Sequence, residues 1–155
     1  LYDDLAQPSV LRKPEMIHGF RNLFQNAVDF ARANVWIESS WSADMISVRI
    51  IDDGRGYPPQ MIGRIGDPFV RRRRTESDST VRPEYEGMGL RLFIAKTLLE
   101  RSGAELSFAN GSDPYRSGPA VNERRGAIVE VVWPRRLLDL GPDDTVIGEN
   151  QRLTA

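Results

Sequence analysis

Apolar residues recur in this chain at two different periods, and the order in which those periods alternate constrains the fold more than any single segment does. From Pro14 the positions Met16, Phe20, Leu23, Phe24, Ala27 and Ala31 fall three and four residues apart, which lays one stripe along a helix running to about Ala33. Pro14 and Glu15 suit its start: proline lacks only an N–H that a first turn does not use, and the acid meets the positive end of the helix dipole. Val35 to Trp41 and Met45 to Ile51 then switch to strand alternation, with Ile46, Val48 and Ile50 facing one way and Ser42-Ala43-Asp44 turning a hairpin. Helical spacing returns from Leu90 to Arg101 through Leu92, Phe93, Ile94, Leu98 and Leu99, closed by Gly103. Ala104 to Phe108 and Ala127 to Trp133 add two strands around a Gly/Ser/Pro-rich loop, and Pro134 closes the pattern. Helix, hairpin, helix and two strands pack most simply as α+β, a layer of helices on one face of a sheet.

Between the hairpin and the second helix lie about 30 residues with little to bury, a length that in a compact domain marks a functional lid or loop. They include glycines, paired prolines, the run Arg71-Arg72-Arg73-Arg74 and the polar stretch Thr75 to Glu86. Composition limits what such a lid serves. The chain has 155 residues, 40% of them apolar, and a net charge of −1, so it forms one domain and carries no bulk signature of a nucleic-acid binder. Cysteine is absent, which removes disulfides, thiolate zinc sites and cysteine nucleophiles together. No apolar run approaches the roughly 20 residues that span a bilayer. The chain opens on Leu1 rather than methionine and reads as a piece of a longer protein. The tail from Leu138 to Ala155 is polar and shows no strong structural signal.

Three polar segments sit at the ends of these elements. On the first helix His18, Asn22, Asn26 and Asp29 share one face, opposite the Phe20/Ala27/Ala31 stripe. A solvated helix face favours Lys, Glu, Gln and Arg, whereas Asn and Asp are weak helix formers. Two asparagines one turn apart therefore point to use of their side-chain oxygens, neutral hard ligands for a Mg²⁺ that bridges phosphates. Asp52-Asp53-Gly54-Arg55-Gly56 follows the second strand. It reads either as an Asp/Gly turn or as a carboxylate, Asp52, accepting from the 6-amino group of adenine while Gly54 and Gly56 let the backbone approach the ring. Gly87-Met88-Gly89-Leu90 stands ahead of the second long helix, where free backbone N–H groups would suit phosphate oxygens. No GxxxxGK[ST] loop and no complete GxGxxG occurs. The arginine run reads as a solvated loop or as a source of charge neutralisation over a triphosphate.

These three segments, with Gly66-Asp67-Pro68-Phe69 between the second and third, resemble in order the N, G1, F and G2 boxes of the catalytic domain of sensor histidine kinases, a branch of the GHKL ATPases. The likeness covers roughly residues 14–134. The phrases HGFRNLFQNAVDFA and LFIAKTLLERSGAEL are similar to the redox-responsive RegB/PrrB group. The resemblance implies a two-layer α/β sandwich, the Bergerat fold, with a mixed and mainly antiparallel sheet and ATP beneath a lid over residues 55–87. It implies Asn26 on Mg²⁺, Asn22 near the phosphates and acting with Asn26 in catalysis, Asp52 on the adenine amine and Phe30 against the ring. Gly54 and Gly56 of the G1 box, Phe69 of the F box and Gly87, Gly89 and Leu90 of the G2 box fall with the nucleotide, and Asp29 fits the NAxD pattern of the superfamily.

The same likeness makes residues 1–13 a linker from a dimerisation and phosphoacceptor domain, 14–135 the ATP-binding domain and 136–155 a tail. Its partners would be that domain and a cognate response regulator, within a homodimeric bacterial sensor of the inner membrane whose cytoplasmic part this is. Gyrase and MutL relatives place a water-activating glutamate where this chain has Asn22, a poor general base, so the implied reaction is phosphoryl transfer rather than hydrolysis. One departure leaves two outcomes open. Arg91 replaces the further glycine usual in the G2 box, where it either crowds the phosphates or adds a positive charge beside them. A degenerate, non-catalytic interaction module weakened by Arg91 is the alternative reading.

Overall fold

Both helical stripes and all four strand patterns form, and they meet at a single core. The computed structural model describes residues 6–62, 84–111 and 126–141. Along them run α1 (Pro14–Phe30), β1 (Val35–Trp41), β2 (Met45–Asp52), α2 (Pro59–Ile62), α3 (Glu84–Arg101), β3 (Glu105–Asn110), β4 (Ala127–Pro134) and α4 (Arg135–Leu138). The strands lie in the order β1-β2-β4-β3, and each neighbouring pair is antiparallel. The parallel component of a mixed sheet therefore does not occur among the described residues.

Register puts the apolar members of three strands on one face. Ile46 lies opposite Trp133, Val48 opposite Val131 and Ile50 opposite Val129, and Leu106 and Phe108 of β3 continue the rows at Val131 and Val129. Onto this face pack Leu23 and Ala27 from α1 and Met88, Leu92, Ala95 and Leu99 from α3. The two helices run antiparallel. They approach closely where Gly19 meets Leu99: a Cβ there would lie 2.7 Å from Leu99 Cγ, and side-chain volume forced into such a contact costs about 1–3 kcal/mol. The two-layer α+β arrangement expected from the sequence is the one observed.

Element boundaries moved where a distant residue competes for the backbone. The first helix ends at Phe30 rather than Ala33, because Asp53 Oδ1 accepts from the N–H groups of Arg32, Ala33 and Asn34 at 2.8, 2.9 and 3.1 Å. Those donors are unavailable for another helical turn. The second long helix begins at Glu84 rather than Leu90. Periodicity carries it back, since Met88 stands four residues before Leu92 and both are buried, although the two glycines there are poor helix formers. At the hairpin, Ser42 Oγ accepts from Asp44 N and Met45 N, the local bonding that makes serine a turn residue.

After Pro134 the chain does not leave the domain at once. Leu138 is buried in the core, and Val10 pairs with Asp139 in an isolated bridge. Arg135 binds Asp139 Oδ2 at 2.8 Å and donates to the carbonyls of Ser42 and Ala6 at 2.9 and 2.7 Å. This knot joins the segment before α1, the β1–β2 turn and the end of β4. Its signal in the sequence is faint, because an Arg and an Asp four residues apart are read first as a surface pair.

Candidate functional site

Asp52 and Asp53 are adjacent and equivalent as text, and the structure separates them completely. Asp53 faces the loop after α1, where its carboxylate also binds Asn34 through the main-chain and side-chain nitrogens at 3.1 and 3.2 Å. Donation from Ala33 N–H and then Asn34 N–H lowers its pKa to about 2. Asp53 is the residue that stops α1. Asp52 points inward and is 3% exposed, with Oδ1 accepting from Gly54 N at 2.8 Å and Ala127 N at 3.1 Å. Burial raises its pKa, and these two backbone donors oppose the rise without cancelling it. A buried carboxylate held by backbone donors at a strand end is pre-set to accept a further donor.

Tight backbone contacts fix that position. A Cβ on Gly126 would lie 1.9 Å from Asp52 Oδ1, and one on Gly54 would lie 2.0 Å from the carbonyl oxygen of Phe30. The glycine role expected at 54 and 56 was ring approach; the contacts seen are internal. Gly54 brings the end of α1 against the end of β2, and Gly56 turns the chain at φ +78° beside Asn110. Asn110 then brackets Tyr57, accepting from its N–H at 2.7 Å and donating to its carbonyl at 2.9 Å, which anchors the start of the long polar segment to β3. Gly126, Ala127 and Asn110 belong to no motif that marks them in the sequence as residues of a site. Only the glycine immediately before an apolar strand, Gly126, carried a usable signal.

On α1 the four polar residues do not share a solvated face. His18 is exposed, Asn22 is half-buried, and Asn26 is 4% exposed, as deep as Ala27 beside it. Asn22 Nδ2 donates to the carbonyl of His18 at 2.9 Å. Asn26 Oδ1 is buried and accepts no hydrogen bond among the described residues, an arrangement that costs about 1–3 kcal/mol of desolvation and is uncommon in native interiors. One turn on, Asp29 accepts from Gln25 at 2.9 Å through Oδ1 and from Arg91 through Oδ2. The Arg91 bond is the first cause of a lowered Asp29 pKa, followed by that from Gln25. The side chain that departs from the G2 box thus lies across the gap between α3 and α1.

Asn26, Asp29 and Phe30 share the last turns of α1, where Gly54, just after β2, lies against the Phe30 carbonyl and Arg91 of α3 reaches Asp29. Phe30 packs half-buried against the core. The expectation that Gly87 and Gly89 precede a helix is corrected: both lie inside the first turns of α3, so their N–H groups are not free ahead of it. Packing does not require glycine at 87, since a Cβ there meets nothing within 4 Å among the described residues. Leu90 is 38% exposed. Phe69 and the arginine run Arg71–Arg74 lie outside the described residues, as does the whole segment between α2 and α3. An apolar groove of about 700 Å³, lined by Val10, Met16, Phe20, Phe24, Val28 and Ile37 among others, lies on the β1 side of α1 and includes none of the site residues.

The pattern shared by histidine kinase-, DNA gyrase B- and HSP90-like ATPases (HATPase_c) matches residues 12–137. The chain belongs to this family. It is 67% identical over 131 residues to the sensor histidine kinase RegB of Cereibacter sphaeroides, across 84% of this chain and 28% of RegB. The likeness is thus to the ATP-binding domain of RegB-type histidine kinases, and the chain spans less than a third of that relative. Among solved structures, the mycobacterial sensor histidine kinase MprB superposes with a TM-score of 0.55 at 20% identity, covering 81% of this chain and 76% of that one. Full-length ShkA, crystallised in complex with AMPPNP, superposes at 0.56 with 20% identity over 86% of this chain and 24% of its own. At that identity the two show the fold alone: an antiparallel four-stranded sheet with helices, as in histidine kinases.

Proposed function

We propose that this HATPase_c domain is the catalytic part of a two-component sensor histidine kinase, binding Mg·ATP and passing the γ-phosphate to a histidine on a separate dimerisation domain. One observation carries the reading. The buried Oδ1 of Asn26, which accepts no hydrogen bond among the described residues, and the buried, backbone-held carboxylate of Asp52 lie at the same end of the two layers. Asp52 takes the adenine amine, and Phe30 lies against the ring. Asn26 would hold Mg²⁺ through its amide oxygen, a neutral hard ligand. The metal neutralises charge on the phosphates when bound. Asn22 lies near the phosphates. Gly87, Gly89 and Leu90 line the phosphate side, where the missing Cβ at 87 leaves room for a ligand. Gly54 and Gly56 shape the adenine side from behind, and Phe69 belongs to the lid.

Transfer rather than hydrolysis follows from Asn22. Its amide is committed to the His18 carbonyl and has no basic atom with which to activate water. No helix among the described residues is long and apolar enough to cross a membrane. The proposed full-length protein is a homodimeric inner-membrane sensor with this domain on the cytoplasmic side and a response regulator as its downstream partner. Residues 14–135 would form the ATP-binding unit, joined through 1–13 to the dimerisation domain. Titration calorimetry with Mg·AMPPNP tests the reading: saturable binding in the parent, lost in Asn26→Ala and in Asp52→Ala while circular dichroism stays native. Unchanged affinity in both variants would remove it.

A further inference from the structure

Arg91 joins two elements that are far apart in the chain but adjacent in the fold. Its guanidinium donates through one nitrogen, Nη1, to Asp29 Oδ2, and Asp29 is held from its other oxygen by Gln25. A guanidinium has five N–H donors in a rigid fork, so most of Arg91's donors remain beyond this pair among the described residues. Both side chains are 38% exposed, open enough to meet a ligand. Asp29 stands three residues after Asn26 on the same helical face, where the buried Oδ1 of Asn26 is unpartnered among the described residues, and Arg91 stands two residues after Gly89. A bare carboxylate at this place would repel a polyphosphate.

We infer that Arg91, held in place by Asp29, is a phosphate-binding residue of the nucleotide site, so that affinity depends on how many phosphates the nucleotide carries. The inference rests on the kinase reading and resolves its open question: Arg91 adds charge beside the phosphates rather than crowding them. Asp29 is then a positioning residue, which fixes the Arg91 guanidinium through Oδ2 and leaves donors that are uncommitted among the described residues to meet the ligand. Charge-assisted hydrogen bonds to phosphate are the strong class, and Arg suits them by its fork geometry.

The test is a calorimetric series with AMP, Mg·ADP and Mg·ATP on the parent chain, Arg91→Ala, Arg91→Lys and the double variant D29A/R91A. Arg91→Ala is expected to lose about 10-fold or more in ATP affinity while AMP affinity stays within about twofold, which also reports a folded adenine site. Arg91→Lys recovers part of the loss through its charge, and the double variant recovers part by removing the bare carboxylate. The salt dependence of ATP binding becomes shallower in Arg91→Ala. Equal ATP affinity in Arg91→Ala and the parent, or equal losses for AMP and ATP, overturns the inference and leaves the kinase reading standing. A parent that binds no adenine nucleotide overturns both.

Discussion

Where β4 leaves the sheet through Pro134, the polar groups drawn inward bind one another; where β2 leaves through Asp52, a buried amide oxygen has no partner among the described residues. At the first end Trp133 Nε1 donates to Ser102 Oγ at 2.8 Å, Arg135 reaches Asp139, Ser42 and Ala6, and Asp139 Oδ1 accepts from Ser9 and Gly141. At the second end Asn26 Oδ1 has no partner among the described residues and Asp52 carries a carboxylate whose burial disfavours its charge. Stability is concentrated at one end and binding potential at the other. An unsatisfied acceptor is tolerated where a ligand would satisfy it, and a saturated network serves where nothing binds.

That contrast breaks most visibly at Trp133, which is 1% exposed with its ring 5.8 Å from that of Phe20. Trp133→Ala should lower unfolding free energy by about 3–5 kcal/mol in urea titration. Nucleotide affinity, measured where the variant is still folded, should be unchanged; a matching loss of affinity would show that the two ends are not separable. Asp52→Asn should do the reverse. It keeps the acceptor for Gly54 and Ala127 but removes the buried charge, so the nucleotide-free protein melts higher at neutral pH while ATP affinity falls about 10- to 100-fold. A lower melting temperature in that variant would mean the charge itself holds the strand end.

Arg135→Ala should cost about 1–2 kcal/mol, seen as an earlier urea midpoint with ATP affinity intact. The smallest effect separates the two aspartates by sign. Asp53 has a lowered pKa, so its contribution is fully present above about 4 and is lost as pH falls toward 2. Asp52 has a raised pKa, so its burial favours the folded state below the unfolded value and that advantage is lost as pH rises through the folded one. Acid denaturation followed by circular dichroism should therefore become less steep between about pH 4 and 2 in Asp53→Asn. In Asp52→Asn, stability should cease to fall over the pH range just above 4. Curves that coincide with the parent would remove both assignments.

Much of this was legible beforehand, for local reasons. The hairpin, both long helices and the β3–β4 pair follow from apolar spacing, because burial on one face imposes a period on the chain itself. Asn26 and Asp52 stood out because asparagine in a helix and aspartate at a strand end are weak choices for structure alone. What was not legible depends on contacts between distant positions. Nothing local says that Asp53 will take three N–H groups from residues about 20 positions earlier and so end α1 at Phe30. The start of α3 is masked in the sequence because Gly87 and Gly89 weaken helix propensity, and burial of Met88 between them outweighs it.

Sequence by itself determined the alternation of helices and strands, the apolar faces of the long helices and strands, and the set of residue types able to form a nucleotide site, since periodicity and side-chain chemistry are properties of neighbours along the chain. Tertiary structure decided which of two identical aspartates turns inward, which of two asparagines is buried with its oxygen unpaired, and that Arg91 meets Asp29 across 62 positions. These outcomes are set by the antiparallel packing of α1 on α3 and by the close approach at Gly54, where the environment of each charge, and hence its chemistry, is made by residues remote in sequence.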